Sequence, residues 1–408
     1  MMSDVNASEA KKLKANEFHK WPIVTSLERD ALIEVLESGK WGKHIGTKVL
    51  EFEKVFSEMH SDYNCVTISN GTAALEVGLR ACDIGATDEV IVPPYSFAAT
   101  VSAVLMNNAL PVFVDIDPET YCLDPKKIEA AITPNTKAIM PVHLGGGVAE
   151  MDAINDIAKR HNLLVIEDAC QAHFAEWNGS RVGTLGDLAC FSFQASKNVN
   201  CGEGGAIICK DQKLFDRCYS THTCGRRPGG VWYEHPFLGT NARLTEFQAA
   251  LLLAQITRSE EQAKKRTKNA EYLIEKLSSI DGIKVSGKYP QVTRHAYHLF
   301  IIRYDASGFG GLPRAEFIKA MQDMGIPCQC GYVPLHKEGF LEDAFASRNF
   351  RKIYSAEDKK NYFDRIDCPV TDRICQEESV WLGQNILLGT FENMDYIADS
   401  IKKIRDDA

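Results

Sequence analysis

Three short stretches hold the residue types that chemistry needs. The first is Ser69-Asn70-Gly71-Thr72-Ala73-Ala74. It follows an apolar, β-branched run and opens a helical pattern. Gly71 lets backbone approach a ligand, and the first N–H groups of a helix point outward, which suits a phosphate. Thr72 adds a hydroxyl. Alone, such a pattern is often only a turn. The second stretch is Val165-Ile166-Glu167-Asp168-Ala169-Cys170-Gln171, where two acids end an apolar run. A carboxylate there can pair with a cationic group on a cofactor or hold a metal. A helix N-cap at Asp168 is the plain alternative. Gln171 reaches the same ligand if a helical turn begins there. The third is Ser192-Phe193-Gln194-Ala195-Ser196-Lys197, followed by the glycine-rich Asn198–Ala206. A lysine at the end of a buried strand is costly unless it is paired, or neutral and used covalently. Schiff-base chemistry needs such a lysine. A solvated loop lysine is the plain alternative.

These stretches need a scaffold, and the hydrophobic pattern supplies one. Apolar runs occur at 65–68, 89–92, 110–116, 137–142, 163–168, 189–193 and 205–209, with helical patterns at 72–82, 96–107, 125–131 and 151–161 between the early ones. Such alternation predicts an α/β fold with a mostly parallel, seven-stranded-type sheet covered by helices on both faces. Ligands then sit at the carboxyl ends of the strands. A long helical pattern fills 243–280, and a smaller α+β domain follows. The expected division is an N-terminal helical segment (1–40) packing on the small domain, a large domain (41–281) and a small C-terminal domain (282–408).

The composition excludes several classes. Of 408 residues, 45% are hydrophobic and 25% charged, as in globular proteins. The net charge of −9 disfavours nucleic-acid binding. The run Lys264-Lys265-Arg266 reads as a solvated helix face. No apolar run approaches bilayer length, so no membrane role is expected. The polar N-terminus lacks a signal-peptide pattern, so a cytoplasmic chain is expected. The 13 cysteines show no CxxC and no metal-type spacing, so no metal site is expected and buried reduced thiols are. No GxxxxGK[ST], HExxH or GxSxG competes, and His143 is a lone strand-end histidine.

Together and in this order, the three stretches resemble the DegT/DnrJ/EryC1/StrS aminotransferases, pyridoxal 5'-phosphate enzymes of fold type I. Asp88–Val104, Pro111–Leu144, Ile166–Ala172 and the Ser192–Ala206 stretch carry the resemblance, and Gly239–Leu252 extends it. The resemblance implies that Lys197 bonds covalently to the cofactor and moves protons. It implies that Asp168 pairs with the pyridine nitrogen and that Gln171 lies near the ring. Phe97 would stack on the ring. Gly71, Thr72 and Ser192 would form the phosphate cup, and Asn241 would reach the phosphate from a neighbouring subunit of a homodimer with composite active sites. Some relatives carry histidine at the lysine position and dehydrate sugars; Lys197 favours transamination. Gln194-Ala195-Ser196 departs from the commoner His-Pro-Thr-type run.

The resemblance also implies a partner pair: an amino-acid donor, glutamine or glutamate, and a keto-sugar or keto-cyclitol acceptor. Trp21–Trp41, Gly331–Phe340 and Cys368–Arg373 look more like the branch acting on scyllo-inosose-like ketones. The alternatives are a nucleotide-diphosphate keto-sugar acceptor, a dehydratase, and a non-catalytic regulator. Tyr332 and His336 are expected substrate contacts, with a surface loop as the plain reading.

Overall fold

The computed structural model describes residues 16–408. The first part of the expected N-terminal segment, residues 1–15, lies outside the described residues. Among the described residues up to 209 there are nine strands: β1 (Asn64–Ile68), β2 (Glu89–Val92), β3 (Leu110–Phe113), β4 (Thr136–Ile139), β5 (Leu164–Asp168), β6 (Glu176–Trp177), β7 (Ser180–Arg181), β8 (Leu188–Ser192) and β9 (Gly205–Cys209). Seven form the central sheet, in the order β1-β9-β8-β5-β4-β2-β3. Only β9 runs against its neighbours. The expected α/β fold with a mostly parallel seven-stranded sheet is therefore the one found. Strands β2, β8 and β9 are buried throughout, which explains their unbroken apolar runs. The run at 110–116 yields only a four-residue strand: Val114 N still donates to Val92 O at 3.1 Å, and beyond it Ile116 pairs with Leu123 instead of the sheet.

The helix Glu246–Leu277 joins the two halves of the molecule. A capping box at Thr245 and Gln248 starts it. Its first half packs Ala249 and Leu252 into the core beside the large sheet. Its second half packs Ala270, Leu273 and Leu277 into a second core. That core covers an antiparallel sheet in the order β10-β12-β14-β13, with β10 (Ile283–Val285), β12 (Leu299–Tyr304), β13 (Cys328–Gln329) and β14 (Ser379–Gly383); the short β11 (Val292–Arg294) pairs with β6 instead. Between β13 and β14 the chain returns to the large sheet. Tyr354 and Tyr362 donate to the carbonyls of Asn108 and Pro111 at 2.9 and 3.0 Å, and Phe345 and Phe350 join the core on that side.

At the start of the described chain, the helix Ser26–Ser38 is capped by Thr25 and tied to the long helix by the Glu28–Arg258 pair. The run Lys264-Lys265-Arg266 departs from its reading as a solvated face. Lys264 and Lys265 are exposed, but Arg266 is only 1% exposed, because it lies on the inward stripe with Ala263 and Ala270. No helix among the described residues is long and apolar enough to cross a membrane.

Candidate active site

Strands β1, β5 and β8 run parallel, so their carboxyl ends share one edge of the sheet. A cavity of about 1210 Å³ opens there. After β1, Asn70 caps the helix Gly71–Ala81 by accepting the Ala73 N–H at 2.8 Å. The N–H groups of Gly71 and Thr72 precede that bond and face the cavity end of the helix, where the helix dipole favours an anion. Gly71 is required here. A Cβ at that position would lie 2.6 Å from Ser192 Cβ, so glycine brings the helix start against the end of β8.

Strand β5 delivers Asp168. It does not cap a helix, because a turn follows it. Thr100 Oγ1 donates to Asp168 Oδ2 at 2.8 Å, and Cys170 N donates to Oδ1 at 3.2 Å. Ser96 and Thr100 hydroxyls lie 2.8 Å apart, so Ser96 donates to Thr100 once Thr100 has spent its proton on Asp168. Asp168 is 4% exposed and, among the described residues, meets only uncharged hydrogen-bond donors. Gln171 is fixed at both ends: its Oε1 accepts Gly145 N at 2.8 Å, and its Nε2 donates to the Tyr332 hydroxyl at 3.1 Å.

Lys197 follows β8 on a loop closed by main-chain bonds. Phe193 N donates to Gly204 O at 2.7 Å and Ala195 N to Gly202 O at 2.9 Å. Gly202 sits at a φ of 89°, which a side chain would strain. Burial lowers the Lys197 ammonium from its ordinary range, against the opposing pull of Cys170 and Asp168. Such an amine loses its proton more readily than a solvated lysine.

The cavity thus gathers Gly71, Thr72, Phe97, Asp168, Gln171 and Ser192, together with Lys197 and Tyr332. Phe97 is 58% exposed, an apolar face left open beside the cavity. Two expected residues are not brought in. His336 is turned away: its ring packs on Phe113, and its Nε2 lies 3.2 Å from Asp372 Oδ1. Asn241 is exposed, outside this chain's own cavity. Sequence reading missed a whole wall. Trp21, Gln322, Gln329, Gln384 and Asn385 line it, with His298. His298 carried a faint signal, a polar residue opening the apolar run of β12. The amides carried none.

Residues 22–386 match the DegT/DnrJ/EryC1/StrS aminotransferase family. The chain belongs to that family. The aminotransferase is 36% identical to L-glutamine:scyllo-inosose aminotransferase of Streptomyces griseus, over 100% of this chain and 98% of that one. Among solved structures, 3-amino-5-hydroxybenzoic acid synthase superposes with a TM-score of 0.86 at 33% identity, covering 97% of this chain and 100% of the other. NtdA of Bacillus subtilis, solved with bound cofactor PMP, gives a TM-score of 0.79 at 29% identity, covering 93% and 82%.

The donor set of the aminotransferase fits the phosphorylated pyridoxal cofactor its family implies. Helix N–H groups and the Ser192 hydroxyl suit a phosphate. A buried carboxylate with only neutral partners suits a protonated ring nitrogen. A lysine with a lowered pKa suits an aldehyde carbon.

Proposed function

We propose that the chain transfers an amino group from glutamine or glutamate to a scyllo-inosose-like keto-cyclitol. One observation carries the reading: Lys197, with its ammonium destabilised by burial, shares a single cavity with Asp168 and the start of the helix Gly71–Ala81. Pyridoxal 5'-phosphate, when bound, supplies an electron sink for the pair left at the amino acid's α-carbon. Gly71, Thr72 and Ser192 would hold its phosphate, and the Asp168 carboxylate would accept the N–H of the protonated ring nitrogen. Phe97 covers the ring and limits water. Lys197 Nζ removes the proton from the donor's α-carbon and returns it on the other side of the exchange. Running the same proton movements in reverse aminates the ketone.

The acceptor assignment rests on the wall chemistry. Lys197 is the one Lys or Arg side chain lining the described cavity. A nucleotide diphosphate needs several cations, whereas an uncharged polyol needs amides and aromatic faces. The scyllo-inosose acceptor named for the Streptomyces griseus relative agrees with that chemistry.

A homodimer with composite sites is part of the proposal. Val231, Tyr233 and Leu238 are 68%, 85% and 81% exposed on the segment leading to Asn241. Apolar residues this open on one segment mark an interface. The cytosol is the proposed compartment, since all 13 cysteines are free.

The test is a two-step spectrum. Adding glutamine to the loaded enzyme should bleach the band of the lysine-bound cofactor, and adding scyllo-inosose should restore it. Restoration only by nucleotide-linked keto-sugars would defeat the acceptor assignment.

A further inference from the structure

Arg266 is a buried cation that meets no carboxylate within ion-pair distance among the described residues. Its Nε and a terminal nitrogen both donate to one atom, Gln384 Oε1, the first at 2.9 Å and the second at 2.5 Å. Its guanidinium also sits 5.5 Å from the centre of the Trp21 ring. Gln384 and Trp21 line the cavity, so Arg266 stands directly behind its wall. A guanidinium can only donate. The Gln384 oxygen must therefore face Arg266, and its amide nitrogen, a donor, is left for the cavity.

A second wall residue is fixed in the opposite sense. Asn198 Nδ2 donates to the Ala296 carbonyl at 2.8 Å, which can only accept. Asn198 Oδ1 therefore faces His298 Nδ1, 3.2 Å away, and Nδ1 carries the proton. His298 Nε2 is left with a lone pair. Burial, reinforced by Lys197, holds this imidazole well below its usual range, so Nε2 stays an acceptor. Neither the Gln384 nitrogen nor His298 Nε2 has a hydrogen-bond partner within the described chain, and neither is sealed from solvent.

We propose that Gln384 and His298 form a fixed donor–acceptor pair that selects a neutral polyhydroxy ketone, Arg266 and Asn198 being the positioning residues that set their polarity. A hydroxyl both donates and accepts, so a polyol meets both groups. A nucleotide's phosphate only accepts, so it finds a bond at Gln384 and repulsion at the His298 lone pair. The inference deepens the acceptor assignment above and rests on it.

The test is calorimetry on the holoenzyme in its pyridoxamine phosphate form. The probes are scyllo-inositol, which cannot be aminated, and uridine diphosphate. Wild type should bind the inositol and not the nucleotide. Gln384→Glu keeps the shape, gives Arg266 a counter-charge and presents an oxygen where the donor was. It should weaken inositol binding about tenfold, as should His298→Phe. Asn198→Asp should make inositol binding pH-dependent near neutrality, because a carboxylate on Nδ1 raises the imidazole into that range; a merely structural role would not move that profile. The pair is overturned if the variants bind the inositol as wild type does, or if wild type prefers the nucleotide. Inositol binding retained with no amination of scyllo-inosose would defeat the proposed activity and leave the pair standing.

Discussion

Strand β5 ends in two carboxylates that serve opposite sides of the sheet. On the side of Val165, Glu167 is fully buried and accepts four hydrogen bonds: from Gly183, Leu185 and Gly186 main-chain N–H groups at 2.8, 2.8 and 2.7 Å, and from His143 Nε2 at 3.0 Å. His143 Nδ1 accepts the Ala149 N–H, so Nε2 must carry the proton. Burial opposes the charge on Glu167, but His143 and the main-chain donors hold its carboxyl below the usual range. On the side of Ile166, Asp168 has two neutral donors and opens on the cavity. Two acids one residue apart are thus divided by their partners. A carboxylate saturated with donors pins a loop. A carboxylate left short of donors can take one from a ligand.

The largest effect should fall on the cavity side. Lys197→Ala removes the amine proposed to move the proton, and turnover should fall by at least about 10²–10⁴-fold, roughly the contribution of a positioned acid–base group. The spectrum of the lysine-bound cofactor should vanish with it. Turnover at the wild-type rate would remove Lys197 from the mechanism.

The two acids themselves should separate next. Asp168→Asn keeps the shape and loses the charge, so turnover should drop about 10²–10³-fold. Its stability should stay within about 1 kcal/mol, because the Thr100 hydroxyl can turn to accept from the new amide. Glu167→Gln should do the reverse. Its amide nitrogen would face donors only, and the unfolding free energy should fall by about 3 kcal/mol. Urea titration and steady-state kinetics on both variants check this. Equal losses of stability would erase the distinction between the two sides.

A third effect belongs to the saturated side. His173 is buried against Phe191 and Phe193, and neither ring nitrogen has a well-aligned hydrogen-bond partner among the described residues, the Ser192 main chain being a polar neighbour of the ring. Burial first, and Lys197 second, push its pKa down to about 3. The unfolded chain binds a proton there below about pH 6.5, while the folded chain does not until about pH 3. Stability is therefore lost as pH falls through that window, by about 2 kcal/mol at pH 5 from this group. His173→Phe should flatten the difference between pH 7 and pH 5 by that amount. An unchanged slope would mean that the imidazole finds a proton partner in solution.

The division between the two sides also explains what the sequence could reveal. The cavity floor was legible because its residues are contiguous with apolar strands: Gly71 after β1, Asp168 ending β5, Lys197 after β8. The wall was not. Gln384, His298 and Trp21 come from separate parts of the chain, and the polarity of each amide or imidazole is set by a neighbour distant in sequence. Arg266 shows the limit well. Its place on the stripe of Ala263, Ala270 and Leu273 was a usable signal of burial, yet the two lysines before it read as a solvated run. His336 was read from its segment, and only packing reveals that its ring turns to Phe113.

The smallest effect tests what Asp168 contributes by charge and what it owes to its donors. Thr100→Val preserves shape and removes the hydroxyl that bonds Oδ2. Ser96 then loses its acceptor as well, so the apoprotein should lose about 1 kcal/mol in urea titration. The carboxylate keeps its charge and the Cys170 N–H, so turnover should stay at least tenfold above that of Asp168→Asn. If Thr100→Val is as damaging as Asp168→Asn, the chain of hydroxyls from Ser96 to Asp168 matters as much as the charge. In that case the cavity-side acid depends on its donors as closely as Glu167 does on its own, and the contrast between the two sides of β5 reduces to how many donors each acid has.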